Sequence, residues 1–239
     1  VSYNIWTPHA VLSEARAWQS GAWRIVEAQH VASTMKIVDN QHEQDVLEEL
    51  LESSKPAIPK AAESLDYLLA SPFRYDPRRG GSRFRSNADP GVFYGAANLH
   101  TACAELGYWR WKFLKDAVDL IKLEPVAHTA FQVDISATMV DLRKLPFATD
   151  ATAWTHPTDY TATQSFARTT RDAGVTAIVY QSVRDPKPSW CVAVLSPSAF
   201  HKPKPHPAMQ TWWLAVYQDS IIWRREREKI TFTTAAWQI

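Results

Sequence analysis

The stretch from Arg83 to Glu105, RFRSNADPGVFYGAANLHTACAE, constrains the chain most. Pro90-Gly91 makes a turn, and Val92-Phe93-Tyr94 after it is a short apolar strand. Gly95-Ala96-Ala97 is a bend of small residues. Asn98 then caps a helix that has a hydroxyl, Thr101, in its first turn. This helix, running to about Ile121, carries Leu99, Ala102, Cys103, Leu106, Trp109, Phe113 and Leu114 close to a 3.6-residue period. Glu105 falls among them, and its neighbours one turn away (Thr101, Ala102, Tyr108 and Trp109) carry no charge. Desolvating an unpaired charge is costly, so such a carboxylate needs a partner or a shifted pKa. The plainer alternative is a rim residue that reaches water, or a structural ion pair with an arginine.

Around this stretch the pattern is that of one α+β domain over residues 1–239. A polar lead-in with a short helix near 12–18 precedes a first strand, Ala22-Trp23-Arg24-Ile25-Val26, with Arg24 inside it. Residues 38–70 form a helical insertion. One amphipathic helix over 45–52 stops ahead of Lys55-Pro56, and a second starts at Pro59 with Leu65, Leu68 and Leu69 on one face. Its acid-rich face is a solvated surface, or else a surface for a partner or a homodimer contact. Residues 71–81 are a loop by their prolines and paired glycines. Arg74, Arg78 and Arg79 in this loop, with Arg83 and Arg85 after it, either bind phosphate through guanidinium forks or are simply solvated.

Beyond the Glu105 helix come strands at 128–133 and 139–142, a polar loop over 146–159 that holds Trp154, and a helix over 160–173 ended by Gly174. Strands at 175–180 and 190–195 follow. A Pro/His-rich turn at 202–207 then leads to C-terminal strands at about 208–239, one or two over 211–223 with a charged interruption at 224–229.

Composition excludes some classes. The chain has a formal charge of +1, which speaks against a dedicated nucleic-acid binder. Cys103 and Cys191 lie in apolar runs and read as reduced core thiols of a cytoplasmic protein. No apolar run is long enough to span a bilayer, and the first residues lack the order of a signal peptide. There is no P-loop, no dinucleotide fingerprint, no Gly-x-Ser-x-Gly elbow and no His or Cys spacing that supports a metal site. Eleven tryptophans against seven glycines supply large core fillers, some of them free to stack on a flat ligand.

Several short motifs stand in a fixed order: Trp23-Arg24, Gly81-Ser82-Arg83-Phe84, Tyr94-Gly95-Ala96, Ala102-Cys103-Ala104-Glu105, and the run from Gly174 to Ser182. In this order, and with eleven residues from Tyr94 to Glu105, the chain resembles the RES family over about residues 22–200. RES proteins are the toxin half of bacterial RES–Xre toxin–antitoxin pairs. Arg85 stands where the family commonly has asparagine, and the division of labour between Arg24 and Arg83 stays open.

The resemblance implies an ADP-ribosyltransferase-like split β core and destruction of NAD, its substrate, at the nicotinamide–ribose bond by hydrolysis or phosphorolysis. It also implies a helix-turn-helix antitoxin of the Xre type that blocks the cleft. The site it implies has Glu105, Arg83 and Ser182 as catalytic residues and Arg24, Arg83, Tyr94, Glu105 and Ser182 as NAD-binding residues, with no metal, no direct nucleic acid and no membrane. In that site Glu105 stabilises a cationic ribose and the arginines hold ribose and diphosphate. Tyr94 stacks on nicotinamide, and Ser182 bonds the ribose or orients Glu105. Two alternatives are a protein ADP-ribosyltransferase with a side-chain acceptor and a non-catalytic protein-interaction module.

Overall fold

In the computed structural model, residues 6–28, 38–74, 81–187 and 189–237 are described. Two long strands form the spine. β1 (Arg16–Glu27) pairs antiparallel with β3 (Lys122–Asp141) along its whole length, from Arg16 opposite Met139 to Glu27 opposite His128. The other edge of β3 is shared. Its first half pairs with β6 (Gln210–Tyr217), and only its last residues, Met139–Asp141, pair in parallel with β4 (Ala177–Gln181). Between these two partners the edge is capped by a loop, with His201 N–H and His206 N–H donating to the carbonyls of Asp134 and Gln132 at 2.9 and 2.8 Å. The sheet therefore splits into two limbs, as the resemblance implied.

One limb is β6, β7 (Ser220–Arg225) and β8 (Glu228–Thr233). The other runs from β4 through β5 (Trp190–Val194) to β2 (Phe93–Ala96), and it curls until Ala96 meets Trp23 of β1. β4 and β5 are continuous apolar runs because both their faces are covered. Ile178, Tyr180, Cys191 and Ala193 belong to the main core, whereas Ala177, Val179, Val192 and Val194 pack with Leu69 and Phe93 on the other side.

Helix α1 is Pro8–Ser13, α2 Gln41–Ser53, α3 Tyr67–Arg74, α4 Leu99–Asp116, α5 Ala151–Trp154 and α6 Thr161–Asp172. α4 lies across β1 and β6 and carries Ala104, Tyr108, Trp111 and Leu114 into the main core. It crosses β7 at Gly107, where a Cβ would sit 1.9 Å from Ile221 Cδ1. A mid-helix glycine gives up about 1 kcal/mol of helix propensity relative to alanine, and here that loss permits the close crossing. Gly174 ends α6 with φ of +72°, the left-handed conformation expected of a C′ residue. Among the described residues, no helix is long and apolar enough to cross a membrane.

Several expectations are corrected. The lead-in helix ends at Ser13, and residues 16–21 are strand, because β3 supplies a pairing edge for all of β1. α3 runs through Pro72 to Arg74, where a loop was expected from residue 71. α4 ends at Asp116 rather than near Ile121, and its Trp109 and Phe113 are exposed, not core. The expected strands at 128–133 and 139–142 are one strand, and the loop at 146–159 contains a 3-10 turn and α5. The C-terminus forms three strands, since Glu226 adopts a positive φ and turns the charged interruption into a hairpin. Arg78 and Arg79 lie outside the described residues.

Candidate active site

α4 begins where Asn98 is extended (φ −151°, ψ 168°) and its Oδ1 accepts the Thr101 N–H at 2.9 Å, so the expected cap is present. Glu105, in the second turn, is half-buried. Its partner is Ser182, the residue after β4, which donates its hydroxyl to Glu105 Oε1 at 2.6 Å. The same oxygen of Ser182 accepts the backbone N–H groups of Arg184 and Asp185 at 3.3 and 3.1 Å. With its lone pairs engaged, the hydroxyl proton is directed at the carboxylate. Cys191 Sγ lies 3.8 Å from the same carboxylate oxygen, and burial pushes its thiol well above the ordinary range.

A second tie joins the loop after β4 to α4. Asp185, its side chain almost fully buried, accepts from Thr101 Oγ1 at 2.7 Å and from Lys187 N–H at 2.9 Å, and His100 Nδ1 lies 3.2 Å away. Two polar bridges thus fix the Ser182 loop against the first two turns of the helix that bears Glu105.

Glu105 faces a cavity of about 280 Å³ that Arg24, Arg83, Tyr94, Tyr160 and Arg184 also line. That size sits near the small end for ligand pockets, roughly 300–1,000 Å³. Arg24 reaches it from β1, next to the one point where β1 touches β2. Its Nη1 donates to the Tyr94 carbonyl at 2.8 Å and its guanidinium lies 4.6 Å from the Phe93 ring centre. Burial pushes its pKa down to about 10, which leaves it charged at neutral pH.

Arg83 comes from the bridged turn at 82–85. Its Nη1 donates to the carbonyls of Trp154 and His156 at 2.8 and 2.9 Å, and its guanidinium sits 4.8 Å from the Tyr160 ring centre. Tyr94 braces the same turn: its hydroxyl accepts the Phe84 N–H at 3.0 Å and lies 2.7 Å from Ser82 Oγ. Burial raises the pKa of that phenol.

The structure therefore gathers Arg24, Arg83, Tyr94 and Glu105 round one space, with Ser182 directly behind the carboxylate. Arg74 is not part of it: it is buried against Glu52, at 2.8 Å, and the Pro56 carbonyl.

Tyr160 and Arg184 also line the cavity, and neither had a role in the site expected from the sequence. Arg184 is 4% exposed, its guanidinium lies 3.4 Å from the Tyr108 ring centre, and its Nη2 bonds the Pro157 carbonyl and the Tyr160 hydroxyl. The only signal for it was its place two residues after the serine. Among the described residues, Arg24, Arg83 and Arg184 make no ion pair, and Glu105 is the one acid lining the cavity. Such a space suits an anionic ligand that also presents a cationic centre to one carboxylate. No group of three or more His, Cys, Asp or Glu among the described residues is placed to hold a metal ion.

No curated protein matches the chain. Among solved structures, a chain of the crystal structure of the M. tuberculosis MbcT-MbcA toxin-antitoxin complex is similar, with 13% identity and a TM-score of 0.46, covering 94% of this chain and 90% of that one. A family model described as the RES domain matches residues 58–216, a span that contains Arg83, Tyr94, Glu105, Ser182 and Arg184. The chain belongs to the RES domain family.

Proposed function

We propose that this chain is the toxin of a toxin–antitoxin pair and that it cleaves the nicotinamide–ribose bond of NAD+. The observation that carries the reading is the Glu105 carboxylate, oriented by the Ser182 hydroxyl in a cavity whose other charged groups, among the described residues, are guanidiniums.

The chemistry follows from the charges. Nicotinamide in NAD+ is a cationic leaving group, so no proton donor is needed to expel it. As the C1′–N bond breaks, its electron pair returns to the ring nitrogen and the ribose becomes oxocarbenium-like. Glu105 faces that developing positive charge, and the partly desolvated setting strengthens the attraction. Water then bonds to C1′ through oxygen and releases a proton, giving nicotinamide, ADP-ribose and H⁺. With phosphate as acceptor the product is ADP-ribose 1″-phosphate. Ser182 orients the carboxylate and is not a nucleophile, because its proton goes to Glu105 and its oxygen already accepts two backbone N–H groups. Arg83 and Arg24 hold the anionic and ribose oxygens, and Tyr94 lines the nicotinamide end. The partner, by family resemblance, is a helix-turn-helix antitoxin that covers the cavity mouth.

The test is to incubate the purified chain with NAD+, with and without inorganic phosphate, and weigh the products. Free nicotinamide with ADP-ribose or its 1″-phosphate is expected. Intact NAD+, or ADP-ribose attached to protein, contradicts the reading.

A further inference from the structure

Arg184 is the buried charge that the mechanism above leaves without a task. It is almost fully enclosed, yet no carboxylate pairs with it among the described residues. Buried arginines ordinarily have an anionic partner, because a guanidinium loses much hydration on burial. Here neutral groups hold it instead: the Tyr108 ring face at 3.4 Å, the Pro157 carbonyl and the Tyr160 hydroxyl at 3.3 Å. Arg83 is held the same way by the carbonyls of Trp154 and His156, with its guanidinium on the face of the same Tyr160. One tyrosine thus spaces two guanidiniums, one over its ring and one at its hydroxyl, and the 154–157 carbonyls fix both. Each arginine spends a single terminal nitrogen on these bonds and lines the cavity.

Holding two like charges on one tyrosine by neutral groups, with no ion pair to either among the described residues, is unfavourable unless an anion completes the set. Position narrows the ligand. Arg184, Arg83 and Glu105 line the same cavity, so a ligand that meets the carboxylate has both guanidiniums within that one space. We propose that Arg184 and Arg83, spaced by Tyr160, form a clamp for the diphosphate of a nucleoside diphosphate ligand. Naming the diphosphate of NAD+ as its occupant rests on the function proposed above; the clamp itself rests on two arginines that no carboxylate pairs among the described residues.

The test separates the two. Binding of ADP and of adenosine to the full chain is measured by calorimetry for wild type, Arg184→Gln and Arg184→Lys, with NAD+ turnover measured alongside. Wild type is expected to bind ADP far more tightly than adenosine. Arg184→Gln should weaken ADP about tenfold or more, the scale of one charge-assisted contact, and leave adenosine unchanged. Arg184→Lys, which keeps the charge over Tyr108, should show an intermediate loss, and it decides the matter if the glutamine variant does not fold. In turnover the loss should appear in KM for NAD+, with little change in kcat.

Equal ADP affinity in wild type and variants overturns the clamp. So does an adenosine affinity that falls in parallel with ADP, or a wild type that does not prefer ADP to adenosine. ADP binding that depends on Arg184, in a protein that leaves NAD+ intact, supports the clamp and contradicts only the cleavage.

Discussion

At the residue scale the site turns on where one hydroxyl proton points. Ser182 gives its proton to Glu105 because two backbone N–H groups occupy its oxygen. Ser182→Ala keeps the carboxylate but removes the bond that orients it. We expect kcat for NAD+ cleavage to fall about 10- to 100-fold with KM nearly unchanged, since a charge-assisted hydrogen bond is worth roughly 1.5–3 kcal/mol. Unchanged kcat in initial-rate assays would show that Ser182 has no bearing on the reacting carboxylate. Glu105, Ser182 and the two early arginines were legible because each sits in a short motif, and the order of those motifs is specific. Arg184 was not, since it lies just beyond the last of those motifs, the run from Gly174 to Ser182. What buries it is Tyr108 from α4 beneath it and Trp237, whose indole N–H bonds the Arg184 carbonyl at 2.9 Å from the far end of the chain. No local pattern encodes either contact.

At the element scale, α4 delivers Glu105, and Gly107 sets how closely that helix rests on β7. Gly107→Val would set its Cβ against the Cδ1 of fully buried Ile221, so that side chain or the helix must shift. We expect a loss of about 1–3 kcal/mol, the usual penalty for overpacking, together with reduced cleavage, because the shift falls two residues from Glu105. Denaturant unfolding and an activity assay on the same sample check this; full stability with full activity would show that the crossing is not tight.

The start of α4 was legible from Asn98, and the end of α6 from Gly174, because caps are local chemistry. The spine was not. Residues 16–21 read as part of a lead-in, and they are strand only because 134–139 lie opposite them. Polar Asp134, Ser136 and Thr138 broke β3 into two apparent strands, although they are the outward residues of one alternating run, with Val133, Ile135 and Ala137 buried. Trp109 fitted the apolar period of α4, yet it is 43% exposed because it faces the cavity rather than the core.

At the scale of the whole molecule, near-neutral composition conceals a local imbalance. The formal charge is +1 over 239 residues, while among the described residues the cavity gathers three guanidiniums round one carboxylate. The split sheet makes this possible. The β4–β5–β2 limb curls back to β1, so that Arg24, the turn bearing Arg83, the Glu105 helix and the Ser182 loop meet at one point. The α+β class and the order of the motifs foretold that such a meeting exists. The ring of pairings that closes it depends on contacts distant in sequence, Trp23 with Ala96 and Arg16 with Met139, which no periodicity reports.

The central claim is that Glu105 stabilises a cationic ribose, and the direct test is NAD+ turnover by Glu105→Gln beside wild type, at matched folding by circular dichroism. The amide keeps the shape and removes the charge. Turnover should fall by at least about 10²–10³, the scale of losing one preorganised electrostatic stabiliser, and cleavage by the variant at the wild-type rate would contradict the account.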